Sequence, residues 1–279
     1  MRRTVLRAVL GTSALAAALI PAAPAGAITG GSPDTVHTNV GLVRFTTADG
    51  RFRCSGTLVS ERVVLTAGHC TEGPAKDVYV SFDDKLQPDP LQPGISDDIK
   101  AERLTHYIHG VAHPDPNWYG KLSFSQQHDQ GVVVLDEPAS SKWENVTPAP
   151  LPPVGLLDQN QGALKNEIFT LVGYGVKIGE KKATVVNGER RSTTSPLKAV
   201  QDEVVTFQIN DNDSKGGGGS CFGDSGGGVF WRDEAHGLEY VLGDASYVNS
   251  LKCNATGSYQ RVDTRYSQDF VKSFIEQYG

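Results

Sequence analysis

Short runs rich in β-branched residues recur along the chain, separated by Gly, Pro, Asn and Asp. VGLVRFT (40–46), CSGTLVS (54–60), RVVLTA (62–67), VYVSF (78–82) and GVVVLD (131–136) occupy the first half. IFTLVGYG (168–175), EVVTFQI (203–209), GVFW (228–231), YVLGDASY (240–247) and GSYQRV (257–262) occupy the second. Short strands bounded by turn residues predict an all-β chain built as a sandwich or as barrels. Helical periodicity is clear only at the end, in YSQDFVKSFIEQYG. There Phe270, Phe274 and Tyr278 recur every fourth position beside Val271 and Ile275, which predicts one amphipathic helix. Between the halves, residues 137–155 carry Pro138, Pro148, Pro150, Pro152 and Pro153 and read as an extended connection. Residues 83–98, rich in Asp and Pro, read as a surface loop.

The first 27 residues follow a different pattern. Arg2, Arg3 and Arg7 precede a mostly apolar run from Ala8 to Ile20, and Ala25-Gly26-Ala27 closes the segment. That order predicts a secretory signal peptide over 1–27, with an apolar run too short for a membrane anchor. RRTVLR also loosely fits a twin-arginine signal, so the export route stays open. Removal of this segment takes away three Arg and no acid, moving the formal net charge from −6 to −9. A secreted, extracellular, acidic protein is a poor partner for nucleic acid or anionic membranes. Export also places Cys54, Cys70, Cys221 and Cys253 where disulfides form, with three pairings open. No cysteine pair has C-x-x-C spacing, so a zinc site is a weak rival, and neither metal nor cofactor is expected.

The stretch GGGGSCFGDSGGG (216–228) holds the most informative chemistry. Glycines around Asp224-Ser225 let the backbone turn sharply and aim N–H groups at one point. A nucleophilic serine needs that arrangement, because attack on an acyl carbon leaves negative charge on oxygen. Gly223 and Ser225 are the candidate donors. A serine hydroxyl also needs a base. Of seven histidines, His69 has the fitting context: it follows the strand-like RVVLT and precedes Cys70. The others read as surface or loop residues. The base in turn needs a carboxylate to fix its tautomer. Asp129, one residue before GVVVL, is the leading candidate; Asp115 reads as a loop residue, and Asp136 and Glu137 as solvated.

ITGG (28–31), LTAGHC (65–70), DQGVVVL (129–135), GYG (173–175), GDSGG (223–227) and SY (246–247) together resemble the trypsin/chymotrypsin-like serine peptidases. The order His, Asp, Ser is that of this family and not of subtilisins or α/β-hydrolases. The resemblance implies two antiparallel six-stranded β-barrels with a C-terminal helix and the site between them. It divides residues 28–279 into a first barrel (about 28–140), a connection (about 141–155), a second barrel (about 156–265) and a helix (about 266–277). It also implies the disulfides Cys54–Cys70 and Cys221–Cys253. The catalytic residues would be His69, Asp129 and Ser225, and an ion pair between a freed Ile28 α-ammonium and Asp224 would assemble the oxyanion hole. A cut after Ala27 would expose Ile28 directly, so export itself would complete activation.

In the family the residue six before the nucleophile lies on the floor of the primary pocket, and here it is Gly219. Trypsins carry Asp there. With Ser220, Ser246, Val248 and Gly257 around it, the pocket is expected to be uncharged and apolar. The implied activity is a secreted serine endopeptidase acting on polypeptides as a monomer, with protein protease inhibitors as further partners. A non-catalytic binding protein on the same scaffold and an esterase using the same triad are the alternatives. The chain departs from the family pattern at Thr29, Gly68 and Tyr174. It departs again at Asp244, which either shares the face of Ser246 near the triad carboxylate or is solvated by a loop; in a distorted pocket it would favour basic substrates. Sequons at Asn145, Asn212 and Asn254 are short enough to arise by chance.

Overall fold

A computed structural model describes residue 28 and residues 30–72, 78–118, 128–165, 167–176, 188–210, 218–250 and 252–279. The expected signal peptide, Thr29, the sequon at Asn212 and Gly216–Gly217 lie outside the described residues.

The first barrel closes β2 (Val40–Thr47), β3 (Gly50–Leu58), β4 (Val63–Thr66), β5 (Val78–Ser81), β6 (Ile108–Pro114) and β7 (Gly131–Leu135) in the order β2-β3-β4-β7-β6-β5. The second uses β8 (Ile168–Gly173), β9 (Arg191–Val200), β10 (Val204–Gln208), β11 (Gly228–Asp233), β12 (Leu238–Val248) and β13 (Thr256–Arg261). It runs β9-β10-β13-β12-β11-β8, and a β8–β9 ladder closes the ring. All ladders are antiparallel, so the expected pair of six-stranded barrels is present. A short β1 (Ser32–Pro33) pairs with β9, stitching the N-terminal segment to the second barrel before the chain enters the first.

Two of the twelve barrel strands, β6 and β9, carry no clear apolar alternation. β6 reads IHGVAHP, and in β9 the buried inward positions are Thr193 and Ser195. The Ser195 hydroxyl donates to the Gln208 carbonyl across the sheet, so a polar residue is accommodated where an apolar one would be expected.

Three apolar clusters hold the molecule together. One fills the first barrel around Val43, Leu58, Val64, Val80 and Val133. Another fills the second around Leu171, Phe207, Leu242 and Tyr259. The third lies at the seam, where Val40, Leu65 and Val132 meet Val172, Tyr174 and Phe230. Each fully buried side chain of this size contributes roughly 1.5–3 kcal/mol. The C-terminal helix α3 (Arg265–Tyr278) is capped by the Thr264 hydroxyl and packs Val271, Phe270 and Phe274 on that seam.

Two further helices were not visible as apolar periodicity. α1 (Asp97–Leu104) takes the end of the expected 83–98 loop; it buries no side chain and rests on the Ser96 cap with Asp97 and Asp98 in its first turn. α2 (Leu156–Leu164) buries only Leu157 and Leu164. It is tied down by charge. Asp263 accepts the Leu157 N–H at 2.8 Å, and the buried Arg261 bonds Asp263 at 2.9 Å and Asp158 at 2.8 Å. Arg261→Ala would leave Asp263 buried without its cation. We expect it to lower unfolding free energy by about 3–5 kcal/mol in denaturant titration.

His37, read as a surface or loop residue, is instead buried. Its Nδ1 lies 2.6 Å from Asp34 and its Nε2 3.5 Å from Glu239. Burial opposes its charge, but the hydrogen bond to Asp34 and the nearby Glu239 carboxylate outweigh burial and hold it up at about 9.

Candidate active site

His69 lies in a single 3₁₀ turn, Gly68–Cys70, directly after β4. The Cys54–Cys70 disulfide ties that turn to β3. Gly68 faces Gln130 and Trp118, which would stand 3.1 Å from any added Cβ. Asp129 is supplied from the neighbouring strand, one residue before Gln130 leads into β7, which pairs with β4. It follows His128, whose φ of 45° is left-handed. Its buried carboxylate accepts the His69 backbone N–H at 2.9 Å and the Nδ1–H at 2.9 Å. The Ser246 hydroxyl donates to the same carboxylate at 2.5 Å.

A bulge in the β12–β13 ladder between Ala245 and Tyr247 leaves Ser246 as the extra residue, which re-aims its side chain. The Gln260 side-chain oxygen accepts the Asp129 N–H at 3.2 Å. Burial opposes ionisation of Asp129, but bonds from His69 and Ser246 outweigh it and hold the carboxyl below the usual range. Burial likewise opposes charge on His69, yet Asp129, with a smaller contribution from Glu72, raises it above 6.5.

Ser225 stands between the barrels. Its carbonyl accepts the N–H of Ser55 on β3 at 2.7 Å, and the next residue, Gly226, donates to the Ala245 carbonyl on β12 at 2.7 Å. Gly226 has φ 77°, and a Cβ there would lie 2.1 Å from Thr66 Oγ1. Only glycine fits. The Ser55 hydroxyl donates to the Gly223 carbonyl at 3.1 Å and accepts the Tyr174 N–H at 3.0 Å. Among the described residues no hydrogen bond takes up the N–H of Gly223 or of Ser225. His69 and Ser225 line one cleft of about 300 Å³ with Ser220, Phe222, Tyr247 and Val248.

The other expected pocket residues divide. Ser220, Ser246 and Val248 face the cleft. Gly219 lies behind it, where a Cβ would come within 2.2 Å of Ile209, and Gly257 backs onto Ser220 and Ile209. The second disulfide, Cys221–Cys253, braces this wall.

Asp224 is fully buried. Its carboxyl accepts the N–H groups of Gly175 at 2.6 Å and Cys221 at 2.8 Å, and the Ile28 N–H adds a smaller pull toward the ionised form. Gly173 and Gly175 leave it space that a Cβ would fill, each at 2.3 Å from a carboxyl oxygen. Burial raises the carboxyl to about 7 despite these donors and the charge of Arg53. Ile28, buried with φ 54°, offers a peptide N–H here because Ala27 precedes it.

Asp244 is not solvated by any loop. It is fully buried in β12, and it does not line the cleft. Gln260 and Ser55, which hold Asp129 and the Ser225 loop, gave no signal in the sequence because their contacts run between segments far apart in the chain.

A family profile described as Trypsin matches residues 28–270. The chain belongs to the trypsin family. CLIP domain-containing serine protease B15 of Anopheles gambiae is 26% identical over 239 residues, covering 81% of this chain and 63% of that protein. The chain therefore spans less than two thirds of that relative's length. Among solved structures, HL collagenase superposes with a TM-score of 0.60 at 17% identity, covering 90% of this chain and 96% of its own. That likeness shows the trypsin-family fold.

Proposed function

We propose that this protein is a secreted serine endopeptidase that cleaves polypeptides through an acyl-enzyme on Ser225. The observation that carries the reading is the His69–Asp129–Ser246 network opening on the same cleft as Ser225. His69 Nε2 takes the Ser225 proton as Oγ attacks the substrate carbonyl, and Asp129 steadies the resulting imidazolium. The displaced charge falls to the N–H groups of Gly223 and Ser225. The imidazolium then gives its proton to the leaving amine. Water, deprotonated by His69, releases the acid and restores Ser225.

An organophosphate reagent tests the reading: it should label Ser225, and His69→Ala should abolish labelling. An unlabelled wild-type protein would favour the binding-protein alternative. Labelling without peptide cleavage would favour the esterase.

The activation reading extends this. Cleavage after Ala27 would turn the Ile28 N–H into an α-ammonium beside Asp224. That charge would draw the Asp224 carboxyl down from about 7 and raise the ammonium above its free value of about 7.7–8.0. A raised ammonium keeps its stabilising contribution at lower pH and loses it as pH climbs through the raised value. His69 must be neutral to act, and its raised value places the acid limb above 6.5. The plot of kcat/KM against pH should therefore be a bell with its acid midpoint above 6.5. A profile flat into strong alkali would contradict the Ile28 pair.

The cleft walls support an uncharged primary pocket. Among the described residues no carboxylate lines it, and Ile209 fills the space behind Gly219. Asp244 is sealed away and cannot receive a basic side chain. A peptide library should show apolar side chains preferred over Arg or Lys before the cleaved bond, by about tenfold or more. Preference for Arg would overturn the pocket assignment and leave the mechanism standing.

A further inference from the structure

We propose that Asp244 is a positioning residue for the His69–Asp129 pair: its carboxyl, sealed between the barrels, holds a proton, so that it adds no second negative charge beside Asp129. This rests on the triad reading above.

Asp244 has no exposed surface, and among the described residues neither of its carboxyl oxygens meets a hydrogen-bond donor. Its cross-strand partners are Gly228 on β11 and Gln260 on β13. Gly228 brings no side chain, and on the side where its Cβ would stand lie Thr57 Oγ1 and the Phe230 ring, 2.7 Å away. Directly paired residues project to the same face of a sheet, so Asp244 faces that apolar space too. The Thr57 hydroxyl on β3 is itself without a partner among the described residues, and the β4 strand behind it, VVLT, carries no charge. Gln260 spends its oxygen on the Asp129 N–H. Asp129 is thus the charged group that acts on Asp244, and it is the carboxylate that His69 bonds.

Of the two acids, only Asp129 is supplied with donors: the backbone N–H and Nδ1–H of His69, and the Ser246 hydroxyl. A second carboxylate would lose its hydration without replacement and would face a like charge. Binding a proton removes both costs. Burial and the Asp129 charge accordingly push the Asp244 carboxyl well above the usual carboxylate range.

A consequence for stability follows. A carboxyl raised in the folded state gives its full contribution below its unfolded value, near 3.9, and loses it as pH rises toward the folded value. The contribution of Asp244 to the seam is then largest on the acid side.

The experiment uses protein cut to begin at Ile28, so that Asp224 has its own cation, and carries Ser225→Ala to prevent self-digestion. Infrared difference spectra against the same protein with Asp244→Asn should show an undissociated carboxylic acid band at neutral pH. In denaturant titrations, the unfolding constant of Asp244→Asn relative to its parent should fall by up to tenfold per pH unit above about pH 4, until Asp244 ionises. In protein with Ser225 intact, Asp244→Asn should leave the midpoint of the acid limb in place, since Asn and the protonated acid carry equal charge.

A missing band, a pH-independent ratio, or an acid limb moved down by about a unit or more would each overturn the proposal. Should Asp244→Asn fail to fold, Asp244→Val removes the same proton from the strand and answers the first two measurements. Organophosphate labelling of Ser225 reports on the triad reading separately, so the two can fail independently.

Discussion

Ser225→Ala is expected to lower kcat/KM by about 10⁴–10⁶, and His69→Ala by a similar factor. The double variant should lose little more. In the proposed mechanism the two side chains act as one unit, with the imidazole useful only for the proton that the hydroxyl carries. Asp129→Asn should cost about 10⁴, because the amide cannot hold the Nδ1–H tautomer that points Nε2 at Ser225. Substrate binding should change little in the Ser225 and Asp129 variants, which remove one hydroxyl from the cleft wall or alter a buried group behind it. Steady-state kinetics on a peptide with a chromogenic leaving group would measure each factor. Strict additivity of the two alanine variants would mean that His69 and Ser225 work separately, contrary to the mechanism.

Asp224→Asn should reduce kcat by about 10²–10³ while leaving Ser225 reactive at a low residual level. Asp224 receives the N–H groups of Gly175 and Cys221, and the loop it anchors carries Gly223 and Ser225. Asparagine has one oxygen where the carboxylate has two, and it cannot pair with an ammonium. The loop should then lose its hold on both oxyanion donors. A chain in which cleavage after Ala27 is blocked should show a loss of similar size, and cleavage at that bond should restore activity. Full activity in the blocked chain would mean that the peptide N–H of Ile28 serves as well as the ammonium.

The sequence made the ten more apolar strands legible because β-branched runs of four to eight residues alternate with turn residues. β6 and β9 escaped because His109, Gly110 and Ser195 occupy positions that the barrel, not their own propensity, forces into a strand, and because Thr193, though β-branched, is not apolar. α2 escaped because its anchor is the buried Arg261–Asp263 pair, which joins residues a hundred positions apart.

At the site, His69, Asp129 and Ser225 stood out through their neighbours, the disulfide cysteine and the glycines. Nothing near Asp244 in the chain distinguishes a buried acid from a solvated one. Its environment is set by β3 and β4, which lie far away in sequence.

The main-chain bonds that hold Ser225 to Ser55 on one barrel and Gly226 to Ala245 on the other make the nucleophile a rivet between two shells. A single nick in the proline-rich crossover at 137–155 should therefore be survivable. The severed halves would remain clamped through that rivet and through the N-terminal stitch of β1 on β9. Each half produced alone should be inert until mixed with the other, and an enzyme that meets its own kind at high concentration gains tolerance to being cut there.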